Sequence, residues 1–172
     1  MTLILIFFIL FFFMRILTLV YSIRNEKRLK SNGGIEYGKL NTIILAFLHF
    51  VFYISSITEA IINKSTFDFI NLIGLVLYLF SYAMLIIVIY NLKTIWTVKL
   101  IIAKEHTINK NLLFKYIRHP NYFLNVIPEL IAITLICKSY YTFVFVFPFY
   151  IISLIVRIIQ EEKIMKQSFT NY

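Results

Sequence analysis

Apolar residues form long runs that are separated by short polar stretches. An α-helix needs about 20 apolar residues to cross the hydrocarbon core of a bilayer. The alternation predicts five such helices, at residues 1–22, 41–62, 70–91, 120–137 and 140–158. The last two are separated only by Lys138 and Ser139, so they should form a tight helical hairpin. We therefore expect an all-α integral membrane protein with one membrane domain over residues 1–172.

Two features interrupt this simple pattern. Residues 92–119 mix lysines with apolar residues, which is typical of a partly amphipathic segment at the membrane interface. Each of the last two predicted spans also contains a proline, Pro128 and Pro148. Membrane helices tolerate proline where neighbouring groups satisfy the freed backbone carbonyls.

Basic residues cluster between the apolar runs. Residues 23–40, residues 92–119 and the tail from residue 157 together hold fourteen Lys and Arg residues, whereas the two opposite loops hold one each, Lys64 and Lys138. Cytoplasmic loops of membrane proteins carry an excess of Lys and Arg. The count predicts an N-terminus outside the membrane and a C-terminus in the cytoplasm.

Composition agrees with a membrane protein. The chain is 60% hydrophobic with a mean hydropathy of +0.84, which excludes a soluble domain. Its net charge of +9 comes from cations that flank the spans, so nucleic-acid binding is not expected. The one cysteine excludes a disulfide framework, and the scattered histidines show no metal-binding spacing. Abundant Ile, Phe, Lys and Asn indicate a low-GC bacterium, and hence a bacterial inner membrane.

A few polar residues lie within or at the ends of the early spans. Charged side chains there are costly and often mark function. Arg15 lies one or two turns from the cytoplasmic end of the first span, so we expect it to snorkel to the interface. Glu59 ends the second span and should be interfacial. We expect His49 to be an ordinary hydrogen-bonded histidine inside the bundle.

The fourth span carries its polar residues on one predicted face. Residues three, four and seven apart share a face of an α-helix, which aligns Tyr122, Asn125 and Glu129, with His119 at the end of the line. A structural hydrogen-bond seam between helices would explain this alignment. The functional alternative is a polar pocket that opens towards the cytoplasm.

The end of the fifth span supplies a second group of polar residues. Ser153, Arg157 and Glu161 are spaced by four, and Gln160 and Glu162 lie beside them. Arg157 and Glu161 would simply pair at the interface in the plainer interpretation. The hairpin, however, should bring Glu161 and Glu162 to the membrane level of "RHPNY", because both lie at the cytoplasmic side.

The chemistry at that level suits a ligand with mixed charges. Pro120 favours the first turn of a helix, which places His119 near the N-cap, where free N–H groups attract an anion. Arg118 adds a donor fork for a carboxylate or phosphate. Glu161 and Glu162 suit hydroxyls or an ammonium group. An amino-acid-like moiety with a ribose is one ligand that fits.

These motifs resemble a known family. "YIRHPNYF" at 116–123, followed by Glu129 and "RIIQEE", resembles the isoprenylcysteine carboxyl methyltransferase family of integral-membrane enzymes, which use S-adenosylmethionine. "RILTLVYSIRNEKRLKSNGGIEYG" and "IWTVKLI" are similar to its small bacterial branch. Some members of that branch methylate alkylpyrones or alkylresorcinols made by type III polyketide synthases. This chain departs from the family pattern at one position, since it has Asn111 or Leu112 where many relatives have a glycine.

The resemblance implies a methyltransferase that uses S-adenosylmethionine and acts on the carboxylate or acidic hydroxyl of a lipophilic substrate. The cofactor-binding core would span residues 112–162 and need no metal, because the in-line displacement requires mainly positioning and desolvation. The predicted cofactor-binding residues are His119, Tyr122, Asn125, Glu161 and Glu162. The predicted catalytic residues are Arg118, Glu129 and Arg157. Two alternatives stay open: which glutamate holds the amine or ribose, and whether Arg118 serves acceptor or cofactor.

Two other functions compete with this prediction. One is a membrane-bound NADPH-dependent reductase of the sterol type, and the other is a non-enzymatic membrane subunit. The sequence specifies neither the methyl acceptor nor the oligomeric state. The expected partners are a lipophilic small molecule and membrane lipid, and the resemblance suggests a type III polyketide synthase as a pathway neighbour.

Overall fold

The structure, a computed structural model, describes residues 1–102, 113 and 116–168. Most of the predicted interfacial segment beyond residue 102 lies outside the described residues, as do Asn111 and Leu112, at the position of the missing glycine.

Nearly all of the described secondary structure is helical, as predicted. The α-helices are α1 Thr2–Ser31, α2 Lys39–Ile62, α3 Phe69–Leu92, α4 Ile127–Cys137 and α5 Tyr140–Ser168. A 3₁₀ turn at Lys93–Ile95 follows α3, and a π-helix at Asn121–Val126 precedes α4.

Within the described part of the chain, α1, α2, α3 and α5 are long and apolar enough to cross a membrane. The π-helix and α4 together form a shorter apolar helix, Asn121–Cys137. The protein is therefore an integral membrane protein, whereas the exact count of five spans stays a prediction.

Two short strands, which the sequence did not predict, accompany the predicted helices. β1, Ile35–Tyr37, pairs antiparallel with β2, Leu100–Ile102, and Glu36 lies opposite Ile101. Each strand has three residues, too few for an alternating pattern to stand out in a sequence. The ribbon joins the loop after α1 to the segment after α3. We call this end of the bundle the sheet end.

The last turns of α1 bind the segment that contains Trp96. Asn25 donates from Nδ2 to the carbonyls of Lys93 at 3.1 Å and Trp96 at 2.9 Å. Glu26 accepts from Lys99 Nζ at 2.7 Å. The two front-half motifs, "RNEK" and "IWTVKLI", are thus parts of one contact.

Close packing of α3 against the π-helix and α4 forms the middle of the bundle. Gly74 lets the helices approach, because a Cβ there would lie 2.8 Å from Ile136 Cγ1 and 3.0 Å from the Ala132 carbonyl oxygen. Asn71 donates to the Ile136 carbonyl at 2.7 Å, and Ser81 donates to the Asn125 carbonyl at 3.0 Å. Small residues and interhelical hydrogen bonds are what hold membrane helices together.

Helix capping organises the opposite end, which we call the hairpin end. Asp68 caps α3, and its other carboxylate oxygen accepts from Lys138 Nζ at 2.6 Å. Glu59 caps α5 from a neighbouring helix: it accepts from the backbone N–H groups of Tyr141 at 3.0 Å and Thr142 at 2.8 Å. A carboxylate at a helix N-terminus satisfies free N–H groups and complements the helix dipole.

Candidate functional site

The helix that follows "RHP" begins as a π-helix. The N–H groups of Tyr122 and Phe123 both donate to the His119 carbonyl, at 3.1 and 3.2 Å. The Ile127 N–H then reaches back five residues to the Tyr122 carbonyl. Such wide turns are frequent at functional sites. Pro128 follows directly, and its missing N–H leaves the preceding turn without an ordinary α-helical bond.

A group of ionisable side chains lies at the sheet end, and we call it the charged cluster: Arg118, His119, Tyr122, Glu161 and Glu162. His119 Nδ1 lies 3.6 Å from Glu161, and its Nε2 lies 3.5 Å from Glu162. The Tyr122 hydroxyl donates to Glu161 Oε2 at 2.7 Å. Arg118 lies 3.7 Å from Glu162. The structure thus brings together the two motifs that the hairpin was predicted to align.

The imidazole of His119 is the most buried ring in the charged cluster, with 5% of its side chain exposed. Burial opposes its protonation, but Glu161 and Glu162 outweigh burial, so the pKa of His119 is raised above its ordinary 6.5. Within the described residues, neither ring nitrogen makes a hydrogen bond of normal geometry. A buried polar ring without such a bond requires an explanation, and a bound ligand would supply one.

A cavity of about 280 Å³ lies between α1, α2, the π-helix and α5. Most of its wall is apolar or aromatic. Its polar lining includes Arg15, His49, Tyr53, Tyr122, Asn125 and Arg157. Tyr122 belongs both to the charged cluster and to this wall, so the two sites are adjacent.

Arg15 does not snorkel, which corrects the prediction. Its Nη2 lies 2.6 Å from Glu129 Oε2, and it lines the cavity. The Tyr53 hydroxyl donates to the other oxygen of Glu129 at 2.5 Å. The interior carboxylate supplies a partner within reach, so the guanidinium need not travel to the interface.

His49 lies beside this ion pair. Its Nδ1 is 3.3 Å from the Tyr150 hydroxyl, and its Nε2 is 3.7 Å from Glu129 Oε1. The expectation of a hydrogen-bonded histidine inside the bundle is met at Nδ1. The histidine also lines the cavity, a location that the sequence had not indicated.

The predicted polar stripe serves two neighbouring sites. His119 and Tyr122 contact Glu161 in the charged cluster, Tyr122 and Asn125 line the cavity, and Glu129 turns to Arg15. The prediction of one shared face assumed 3.6 residues per turn. The π-helix makes wider turns, so side chains beyond it are rotated relative to those before it.

Arg157 is buried and lines the cavity. It donates from Nη1 to Thr42 Oγ1 at 2.8 Å and from Nη2 to the Val98 carbonyl at 3.0 Å. These donors therefore bind α2 and the segment before β2, and not the Glu161 carboxylate as the plainer interpretation supposed. Arg157 fixes one wall of the cavity.

Sequence reasoning did not assign Arg15, His49 and Tyr53 to the site. Arg15 and Glu129 are opposite charges inside two apolar runs, and this feature of the sequence could have indicated an ion pair between them. Each was considered alone, because their pairing depends on how α1 packs against α4. Tyr53 carried no signal, since tyrosine is frequent in this chain.

Comparison with known proteins confirms the resemblance. Residues 72–167, more than half of the chain, match the Isoprenylcysteine carboxyl methyltransferase (ICMT) family. The chain is 49% identical over 155 residues to an uncharacterised protein of Haemophilus influenzae, with 90% of each chain covered. It is 28% identical over 149 residues to the uncharacterised protein YpbQ of Bacillus subtilis, with 84% of this chain and 85% of YpbQ covered. No solved structure matches significantly.

The matched region contains the π-helix, α4, all of α5 except Ser168, and every residue of the charged cluster. The "RHPNY" and "QEE" elements are therefore both part of the match and neighbours in the fold. This chain belongs to the isoprenylcysteine carboxyl methyltransferase family of membrane methyltransferases.

Proposed function

We propose that the protein uses S-adenosylmethionine to methylate the carboxylate or acidic hydroxyl of a lipophilic substrate within the membrane. The observation that carries this proposal is the position of Tyr122. Its hydroxyl binds Glu161 in the charged cluster, and its ring lines a cavity that also contains two arginines. A polar ligand in the charged cluster and a lipophilic one in the cavity would meet at this side chain.

The charged cluster fits the polar groups of the cofactor. Glu161 and Glu162 are suited to an ammonium group and ribose hydroxyls, and Arg118 is suited to a carboxylate. Neither nitrogen of the buried His119 ring makes a normal hydrogen bond with the described residues. When bound, S-adenosylmethionine supplies an electrophilic methyl group.

The predicted residues then take distinct roles. We assign His119, Tyr122, Glu161 and Glu162 to holding the cofactor, and Asn125 to the wall between the cofactor and the cavity. Arg118, 65% of whose side chain is exposed beside Glu162, is assigned to the cofactor's carboxylate. Glu129 and Arg157 position other groups. The carboxylate of Glu129 contacts Arg15 and Tyr53. The guanidinium of Arg157 contacts Thr42 and Val98.

The acceptor would enter from the lipid. Ile16 and Leu19 of α1 and Phe50 of α2 line the cavity and are also exposed on the outside of the bundle. The cavity therefore opens between these helices at the lipid-facing surface. Its walls exclude water from an oxyanion, which favours displacement on a sulfonium. An acidic polyketide lipid from a type III polyketide synthase is one acceptor of this class.

The charge distribution supports an orientation in the bacterial inner membrane. The sheet end carries the basic stretch 23–40 and the basic end of α5, whereas the hairpin end carries Lys64 and Lys138. By the positive-inside rule the sheet end, and with it the charged cluster, would face the cytoplasm. That location gives the site access to a soluble cofactor.

Calorimetry on the purified protein in detergent tests the cofactor site. The wild type should bind S-adenosylmethionine saturably, and His119→Ala and Glu162→Gln should each weaken binding about tenfold or more, as the loss of hydrogen bonds to charged groups does. Asp68→Asn is the matched control, because it removes a carboxylate at the hairpin end and keeps a capping side chain. Wild-type affinity in both cluster variants would exclude this site.

A further inference from the structure

The cavity has an unusual balance of charge for a membrane interior. Two arginines, Arg15 and Arg157, line it, and no aspartate or glutamate stands among the described residues that form its wall. The Glu129 carboxylate pairs with Arg15 but is not among these lining residues. Charged groups at this depth are costly and usually serve a ligand or a pathway. The cavity is therefore suited to an anion.

The two arginines differ in how their terminal nitrogens are engaged. Arg157 donates from Nη1 to Thr42 and from Nη2 to the Val98 carbonyl, so both of its terminal nitrogens are held by the wall. Arg15 meets Glu129 through Nη2, and a guanidinium has five N–H donors in all. Its side chain is 22% exposed and forms part of the cavity wall. Arg15 therefore has donors that can face a ligand.

Glu129 holds Arg15 in place. Its two oxygens contact the guanidinium and the Tyr53 hydroxyl, with distances of 2.6 and 2.5 Å, and the carboxylate is 2% exposed. The ion pair keeps the guanidinium beside this carboxylate, and the donors that it leaves over suit recognition of an oxyanion. Arg118, by contrast, is largely exposed in the charged cluster and is absent from the cavity wall among the described residues.

The size and opening of the cavity limit the ligand. A volume of about 280 Å³ is just below the range of about 300–1,000 Å³ that is typical of small-molecule sites. It can hold a head group of modest size, while the opening lined by Ile16, Leu19 and Phe50 leaves an alkyl tail in the lipid. The ligand would carry its charge at one end only.

We propose that Arg15 binds the anionic oxygen of the methyl acceptor, a single-chain lipid acid whose head enters the cavity between α1 and α2. This proposal rests on the proposed function and names its acceptor class. We call Arg15 in this role the anion anchor. It lies in α1, outside the residues 72–167 that match the family. It is a substrate-binding residue distinct from those of the charged cluster.

The chain contains its own reporter for this site. Trp96 is the single tryptophan of the sequence, and it lines the cavity. A bromine atom on a lipid chain quenches tryptophan fluorescence at short range. The experiment titrates the protein, in nanodiscs of zwitterionic phosphatidylcholine, with a fatty acid brominated near its carboxyl end, and separately with the methyl ester of that acid.

The acid should quench Trp96 saturably, and the unbrominated acid should reverse the quenching. The ester should bind about tenfold more weakly or worse, because it lacks the charge that Arg15 recognises. Arg15→Gln should remove the preference for the acid, and Arg15→Lys should keep part of it, because lysine keeps the charge without the fork. Equal quenching by acid and ester, or an unchanged preference in Arg15→Gln, would overturn the proposal.

Removing Arg15 alone leaves Glu129 unpaired in the bundle, which can unfold a protein. The double variant Arg15→Gln with Glu129→Gln avoids this, because it removes both charges together. It too should lose the preference for the acid, and a retained preference would overturn the proposal. Lys64→Gln at the hairpin end is the matched charge control and should behave as the wild type does.

Cofactor binding separates this proposal from the proposed function. Arg15 is not part of the charged cluster, so Arg15→Gln should bind S-adenosylmethionine with wild-type affinity. A wild-type protein that prefers the acid but binds no S-adenosylmethionine would contradict the proposed function and leave the anion anchor standing. A protein that binds the cofactor but shows no preference for the acid would contradict the anchor alone.

Discussion

The Tyr122 hydroxyl donates a hydrogen bond of 2.7 Å to Glu161, and the same side chain forms part of the cavity wall. This one hydrogen bond links the π-helix to the end of α5. It holds the charged cluster at the edge of the cavity, so a change at Tyr122 should affect the cofactor and the geometry of transfer together.

Tyr122→Phe removes the hydroxyl and keeps the ring. We expect cofactor affinity to fall roughly 5- to 10-fold, because a hydrogen bond to a charged acceptor is lost and Glu161 is less well fixed. Acid binding measured by Trp96 quenching should stay close to wild type. Calorimetry measures the first quantity.

Tyr21→Phe provides the matched control for Tyr122→Phe. Tyr21 donates at 3.2 Å to the Lys93 carbonyl in an exposed position, so its removal should leave cofactor affinity unchanged. Equal affinity in Tyr122→Phe and wild type would show that the Tyr122–Glu161 bond does not support the cofactor site.

Stability should depend on pH through His119. Its raised pKa means that folding favours the protonated ring, so the stabilising contribution is complete below the ordinary pKa of 6.5. It is lost as the pH rises through the higher folded-state value. The difference in melting temperature between wild type and His119→Gln should therefore shrink as the pH increases, as followed by circular dichroism in detergent.

Asp68 should behave in the opposite way and serves as the comparison. The hydrogen bond from Lys138 lowers the pKa of the Asp68 carboxyl below its ordinary 3.8. Any stabilisation from it is present above that ordinary value and is lost as the pH falls through the lower one. A His119→Gln difference that grows with rising pH would contradict the assigned direction.

Gly74→Ala should destabilise the bundle. The added Cβ would approach Ile136 Cγ1 to 2.8 Å and the Ile136 backbone nitrogen to 2.9 Å, so α3 and α4 would have to separate. Overpacking of this kind costs about 1–3 kcal/mol, which thermal unfolding in detergent would reveal. Ala83→Leu on the exposed face of α3 should have little effect. Similar losses in the two variants would argue against the close approach at Gly74.

Glu59→Gln should weaken the start of α5. The carboxylate accepts from two backbone N–H groups and from Thr142 Oγ1 at 2.8 Å, and its charge complements the helix dipole. Its loss should cost about 1–2 kcal/mol, measured as a lower melting temperature. Lys64→Gln, an exposed residue in the next loop, should change stability far less. Unchanged stability in Glu59→Gln would contradict the capping role.

Hydropathy was sufficient to predict the long helices and the hairpin, because spanning a bilayer demands a length and composition that few other structures share. The alternation of basic loops also predicted which ends of the helices lie together. The contacts of His119 with Glu161 and Glu162 follow from that alternation. For this reason the sequence was sufficient to predict at which end of the bundle the candidate site lies.

The sequence could not predict how the side chains are arranged within the candidate site and the cavity. The π-helix changes the number of residues per turn, so an α-helical wheel does not give the directions of the side chains that follow it. Strands of three residues carry too little pattern to be recognised. The pairing of Arg15 with Glu129 joins helices distant in sequence, and only the packing of the bundle determines it.

Transfer of labelled methyl groups would show whether the protein is a methyltransferase that uses the charged cluster. Membranes that contain the protein would be incubated with methyl-labelled S-adenosylmethionine and a lipid extract, and the organic phase would then be counted. We predict label in an organic-soluble product with the wild type and with Asp68→Asn, and its loss with His119→Ala and Glu162→Gln. An organic phase without label above that of membranes lacking the protein, or label that persists in both cluster variants, would contradict the account.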